Sequence, residues 1–173
     1  MTKARTLADF NTTNINPANL DETGTIPSAL LAGVGGGNTP AFDVRLTSSQ
    51  SIPNDTYTKL TFGTELLDSD GTFTANRFTP AVAGNYLINY SIYYDVVDYI
   101  ETMSLKLFKN GNGDNASERT NMAVATNSDL TVSGTYLIYL DADDYIELWT
   151  KQNSGSTATA YTGNTTFSGF KVT

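Results

Sequence analysis

From Ala41 onward, apolar residues recur at every second position in run after run, and that period constrains the fold more than any other feature of this chain. In its clearest instance Tyr86, Ile88, Tyr90, Ile92 and Tyr94 line one face while Asn89 and Ser91 sit on the other. Successive side chains of a strand point to opposite faces, so this spacing describes a half-buried strand and not a helix. Phe42, Val44 and Leu46 likewise oppose Asp43 and Arg45, and Met103, Leu105 and Leu107 form another row. Leu130, Val132, Tyr136, Ile138 and Leu140 share a face; Ile146 and Leu148 alternate with Tyr145, Glu147 and Trp149; Phe170 and Val172 alternate with Thr165, Phe167 and Lys171. Turn chemistry separates the runs at Asp70-Gly71, Asn110-Gly111-Asn112-Gly113, residues 141–144 and Ser154-Gly155-Ser156. About eight to ten short strands at this spacing predict an all-β sandwich or barrel.

A chain of 173 residues is long enough for one such domain with a real core, and two would be cramped. Cysteine and histidine are both absent. That removes disulfides, thiolate and Ser/His/Asp nucleophiles, the usual general base and histidine or cysteine metal sites. Carboxylate-pair chemistry survives this filter, but it needs a separation of roughly 5–10 Å across a cleft, which no spacing in a sequence supplies. The expectation is a protein that is not an enzyme and takes no cofactor. A net charge of −8 repels phosphate backbones and anionic bilayers, which argues against nucleic acid and membrane as partners. No apolar run approaches the roughly 20 residues of a membrane span, and no apolar signal core follows Met1-Thr2-Lys3-Ala4-Arg5.

Residues 1–37 follow neither period. Thr2 is placed to cap a short helical turn in which Leu7 and Phe10 are three apart, after which an Asn/Thr-rich stretch with Pro17 dissolves the pattern. Gly33, Gly35, Gly36 and Gly37 form a hinge. The segment is read as an anchoring arm whose spaced apolar residues, Leu7, Phe10, Ile15, Leu20, Ile26, Leu30 and Leu31, dock on a partner. The alternative is a disordered leader. Residues 38–173 form the second unit.

Residues 41–173 resemble the complement C1q and tumour necrosis factor-like jelly-roll family. The motifs that carry the resemblance are Phe78-Thr79-Pro80-Ala81-Val82-Ala83-Gly84-Asn85-Tyr86, leading into a central strand, and Leu60-Thr61-Phe62 with Leu67-Asp68 and Gly71-Thr72-Phe73 upstream. Leu107-Phe108-Lys109-Asn110-Gly111 is similar to a common hairpin of the family, and residues 140–148 to its leucine, glycine-aspartate, aliphatic, leucine block, with Asp143 where the family usually has glycine. Residues 166–172 resemble its last strand. The resemblance implies a jelly-roll β-sandwich and a homotrimer, for which Tyr90, Tyr94, Phe167 and Gly169 are the expected interface residues. The start Met1-Thr2-Lys3-Ala4-Arg5-Thr6-Leu7-Ala8, then Gly24-Thr25-Ile26-Pro27 and the glycine hinge, resembles leaders of bacteriophage and cyanophage structural proteins.

Acidic residues cluster at Asp68 and Asp70, at Asp95, Asp98 and Glu101, and at Asp141, Asp143 and Asp144. Hard cations take six to eight oxygen ligands, which makes the last cluster the metal candidate, with a solvated acidic turn as the plainer account. Asn-x-Ser/Thr triplets, such as Asn54-Asp55-Thr56, are read as chance in a chain rich in those residues. Trp149 and the tyrosines have faces suited to stacking on sugars, although Tyr86, Tyr90 and Tyr94 on one strand face read more simply as core or interface. The expected function is that of a phage virion structural protein at the particle surface: a trimeric, outward-projecting head, anchored by its arm to a capsid or tail component as a capsid decoration or cement protein. The rivals are a tail-fibre or spike tip that binds host surface glycans, and a soluble carbohydrate-binding module.

Overall fold

A computed structural model describes residues 40–95, 100–113, 118–125 and 130–172. The arm residues Leu7, Phe10, Ile15, Leu20, Ile26, Leu30 and Leu31 lie outside these residues, as does Asp98. Every described element is a strand: β1 (Ala41–Leu46), β2 (Gln50–Ile52), β3 (Thr58–Lys59), β4 (Phe62–Asp68), β5 (Phe73–Thr74), β6 (Arg77–Phe78), β7 (Gly84–Asp95), β8 (Ile100–Lys109), β9 (Glu118–Ala125), β10 (Leu130–Leu140), β11 (Ile146–Gln152), β12 (Ala158–Ala160) and β13 (Thr166–Lys171).

They form two antiparallel sheets. In the seven-stranded sheet the order is β2-β12-β7-β13-β1-β4, with β10 also paired to β7. β10 covers β7 from Gly84 to Tyr94, so β13 and β12 share the other edge of β7, end to end. The six-stranded sheet runs β5-β6-β11-β8-β9, with β3 also on β11.

The period-two rows meet between the sheets. Tyr86, Ile88, Tyr90, Ile92 and Tyr94 from β7 face Met103, Leu105 and Leu107 of β8 and Ile146 and Leu148 of β11, and all are buried. At one end Phe42 stacks on Phe78 and Phe73, with ring centroids 4.4 and 5.4 Å apart, and meets Phe167 edge-on at 4.8 Å. Such aromatic pairs add roughly 0.5–1.5 kcal/mol each beyond their burial. Polar groups in this core are partnered: Tyr94 and Thr150 share a hydroxyl hydrogen bond of 2.5 Å, and Thr150 Oγ1 donates to the carbonyl of Ser104 at 2.9 Å. Burial raises the Tyr94 phenol far above its ordinary range, against the opposing pull of Thr150.

Two turns follow directly from residue type. Asn110 and Gly111 have φ of 53° and 75°, and Lys109 and Asn112 exchange both backbone hydrogen bonds across them, the two-residue hairpin that an Asn-Gly pair favours. Asp143 has φ of 71°, which explains glycine as the usual family residue there: aspartate is among the few side chains that tolerate the left-handed region.

Candidate functional site

The structure corrects the interface expected from the sequence. Tyr90, Tyr94, Phe167 and Gly169 are buried inside a single chain and have no surface to offer a second copy. Tyr90 and Tyr94 share the inward face of β7 with Ile88 and Ile92, and Phe167 lies 4.8 Å from Phe42 and 5.7 Å from Phe62. At Gly169 a Cβ would stand 2.6 Å from Ile88 Cδ1, 2.9 Å from Phe42 Cε1 and 3.1 Å from the Leu87 carbonyl oxygen. The close approach this glycine permits is therefore to its own core.

Exposed apolar surface lies on the other face of the same strands. Register places Leu137 of β10 beside Leu87 of β7, Leu87 beside Phe170 of β13, and Phe170 beside Ala41 of β1. These positions have the opposite parity to the core rows, so they form one apolar row across four strands, pointing out. A second row adjoins it, in which Tyr139 pairs with Asn85 and the Val172 amide donates to the Asn85 carbonyl at 2.7 Å. Leu137, Tyr139 and Val172 keep 56%, 53% and 46% of their surface exposed.

At the far edge β4 adds two more leucines. Asp43 opposes Leu67 and Val44 opposes Glu65, so Leu66 is the extra residue of a β-bulge, and the local twist leaves Leu66 and Leu67 both about half exposed. The outward face of this sheet thus carries exposed large apolar residues near two of its edge strands, β10 and β4.

The acidic turn before β11 does a different job from holding an ion. The Asp144 carboxylate accepts from Lys109 Nζ at 2.7 Å, Asn110 Nδ2 at 2.7 Å and the Asp141 amide at 2.8 Å. Burial alone would raise this carboxyl, but those donors outweigh it and bring it down to about 2. Asp141 and Asp143 are exposed, and the Asp143 amide donates to the Pro80 carbonyl at 3.1 Å. Among the described residues no three carboxylates converge on a point where an ion would sit, and within this turn it is the Asp144 carboxylate that gathers donors. Asp68 is used the same way, accepting from the amides of Thr72 and Phe73 at 2.8 and 3.0 Å. Among the described residues no helix is long and apolar enough to cross a membrane.

The model of the C1q domain matches residues 41–172, from the first residue of β1 to the residue after β13. The chain belongs to the C1q domain family. Among solved structures, the globular domain of zebrafish complement 1qA protein is similar with a TM-score of 0.54 and 19% identity, covering 78% of this chain and 98% of that one. The Eiger TNF of S. frugiperda has a TM-score of 0.56 and 12% identity over 77% of this chain and 92% of that one. Murine APRIL, in its structure at pH 5.0, has 0.55 and 13% over 76% and 98%. These likenesses show a shared jelly-roll sandwich fold. No curated protein matches the chain. C1q domains are typically structural or ligand-binding modules and not enzymes. In this C1q domain the proline, alanine-glycine, tyrosine run becomes the corner that launches β7: Tyr86 Oη donates to the Val82 carbonyl at 2.5 Å and its ring lies 5.5 Å from Phe78. Burial, with the charge of Asp70 adding to it, pushes the Tyr86 phenol up to about 12.

Proposed function

We propose that this C1q domain is the self-associating head of a particle-bound structural protein, a homotrimer that projects outward while residues 1–37 attach it to another virion protein, as a capsid decoration or cement component. The observation that carries the reading is the exposed apolar surface near two edges of one sheet face, Leu137 and Tyr139 on β10 and Leu66 and Leu67 on β4. Fully burying a leucine is favourable by roughly 1.5–3 kcal/mol, and contiguous exposed apolar surface marks interaction sites. Two different patches on one subunit suit a heterologous contact, in which the β10 side of one copy meets the β4 side of the next; a rotation that closes makes a ring. Trimers are common in this family. The spaced apolar residues of the arm and its likeness to phage structural-protein leaders support attachment to a virion.

Sedimentation of the full chain tests the assembly: the expected species has three times the 18.6 kDa mass of one chain, and a stable monomer at micromolar concentration overturns the trimer. Immunogold labelling of particles tests the placement. Label over the capsid is expected, label confined to tails replaces decoration with the tail-fibre reading, and unlabelled particles overturn both.

A further inference from the structure

Phe108 of β8 and Trp149 of β11 stack on the outward side of the six-stranded sheet with centroids 4.7 Å apart, and Lys106 and Lys151 stand 5.7 and 5.4 Å from the ring of Tyr57 beside them. Past this surface β8 ends in Lys109-Asn110-Gly111-Asn112-Gly113, which holds both Asn-Gly steps of the chain. Asparagine before glycine is prone to deamidation, because glycine has no Cβ to shield its backbone nitrogen from the neighbouring carboxamide. That nitrogen attacks the asparagine Cγ. A new C–N bond closes a cyclic imide, and the side-chain nitrogen leaves as ammonia with the proton taken from the glycine amide. Water then opens the imide to aspartate or, with the side-chain carbon drawn into the main chain, to isoaspartate.

At Asn110 the fold holds both ends of the carboxamide. Nδ2 donates to Asp144 Oδ1 at 2.7 Å and Oδ1 accepts from the Tyr145 amide at 2.9 Å, while the Asn110 amide donates to the Tyr145 carbonyl at 2.9 Å. The side chain is thereby drawn across to the start of β11, and it cannot swing back to the Gly111 nitrogen without giving up both bonds. Asn110 and Gly111 are exposed, so it is these bonds, and not burial, that stand between the amide and the reaction.

The product does not fit the same place. A carboxylate at this position has no proton to donate and stands against the Asp144 carboxylate, which already accepts from Lys109 Nζ at 2.7 Å. Isoaspartate also lengthens the main chain inside a two-residue turn whose closing pair, Lys109 and Asn112, exchanges hydrogen bonds of 3.1 and 2.9 Å. We propose that Asn110 is a deamidation site gated by the fold, kept as the amide while the 109–112 hairpin is bonded to Asp144 and Tyr145 and converted, without return, in chains whose hairpin has opened. Chemical change in the open state makes unfolding irreversible, so a chain that stays open is withdrawn from the pool that can refold.

The full chain is incubated at mildly alkaline pH, folded in buffer or unfolded in guanidinium chloride, and conversion at each Asn-Gly step is followed by peptide mass spectrometry. In guanidinium Asn110 converts at a rate comparable with Asn112, its neighbour in the same peptide; in buffer the Asn110 rate falls by about tenfold or more. Asp144→Ala, with a far-UV spectrum like that of the parent, regains about tenfold in the Asn110 rate in buffer. Asn110→Asp, which reproduces the product, unfolds at a lower denaturant concentration than the parent at neutral pH. Combining it with Asp144→Asn recovers most of that loss, because a carboxamide at 144 donates to the new carboxylate. If Asp144→Ala does not fold, the two rates of the parent and the exchanged pair still decide the matter. The proposal is overturned if Asn110 converts as fast in buffer as in guanidinium, if it stays intact in guanidinium while Asn112 converts, or if a folded Asp144→Ala leaves its rate unchanged. It is equally overturned if Asn110→Asp is as stable as the parent or the exchanged pair recovers nothing. None of these readouts measures association, so this proposal and the assembly reading fail separately.

Discussion

Gly169 sits where Cβ atoms are excluded on three sides, by Ile88 Cδ1, Phe42 Cε1 and the Leu87 carbonyl. Its place inside a strand already signals a close approach, because glycine weakens a strand unless something needs the space. The identity of the neighbour is not legible, since a two-residue period says which side chains share a face and not what that face meets. The same limit applies to Tyr90, Tyr94 and Phe167: their shared parity with Ile88, Ile92 and Gly169 was readable, but one sandwich core proved large enough to hold them. Gly169→Ala therefore acts on folding within each chain. It is expected to destabilise by about 1–3 kcal/mol through overpacking, measured by urea unfolding; a neutral result would mean that Phe42 and Ile88 give way.

At the scale of elements, six of the eight described strands of six residues or more, β1, β7, β8, β10, β11 and β13, lie where alternation leads one to look, while β4 and β9 lie outside the rows read from the sequence. The five of two or three residues, β2, β3, β5, β6 and β12, are invisible to alternation, because so few residues cannot display a period. They are held by turn and side-chain chemistry instead. Ala75 and Asn76 take φ of 53° and 59° to close the β5–β6 hairpin, and buried Gln152 donates to the carbonyls of Ile52 and Ser156 at 3.0 and 2.8 Å, tying β2 to β11. The bulge at Leu66 is hidden for a related reason, since a run of two leucines reads as broken alternation. The 141–144 turn is an element whose stability depends on pH. An unfolded aspartate titrates near about 3.9, while Asp144 in place is held down to about 2. Its contribution is thus fully present above about pH 4 and lost as pH falls toward 2. Asp144→Asn is expected to be less stable than the parent at pH 6, with the gap closing below about pH 3, as followed by urea titrations across that range.

For the whole molecule, the two sheets separate two kinds of outward surface. One face is apolar at the β10 and β4 edges and the other aromatic and cationic at its middle, and the first of these is not legible in the sequence because the aromatic row of β7 has the core-facing parity. If the apolar face joins copies, assembly and folding are linked, and the melting midpoint rises with protein concentration. Leu137→Asp places a charge at the β10 edge of that surface. Its expected signature is a monomer on sedimentation, with a far-UV spectrum like that of the parent and a midpoint independent of concentration; a variant that still assembles moves the contact elsewhere.

The pairing of β1 with β13 has a mechanical consequence. Ala41 lies opposite Phe170, and the Lys171 amide donates to the Pro40 carbonyl at 3.2 Å, so the chain enters and leaves the sandwich side by side. Tension applied between residues 40 and 172 opens that ladder one hydrogen bond at a time, in an unzipping direction, before it strains the buried rings. A tether or cargo joined after residue 172 would start beside residue 40, and a load passing between those two points would travel along one seam of the domain.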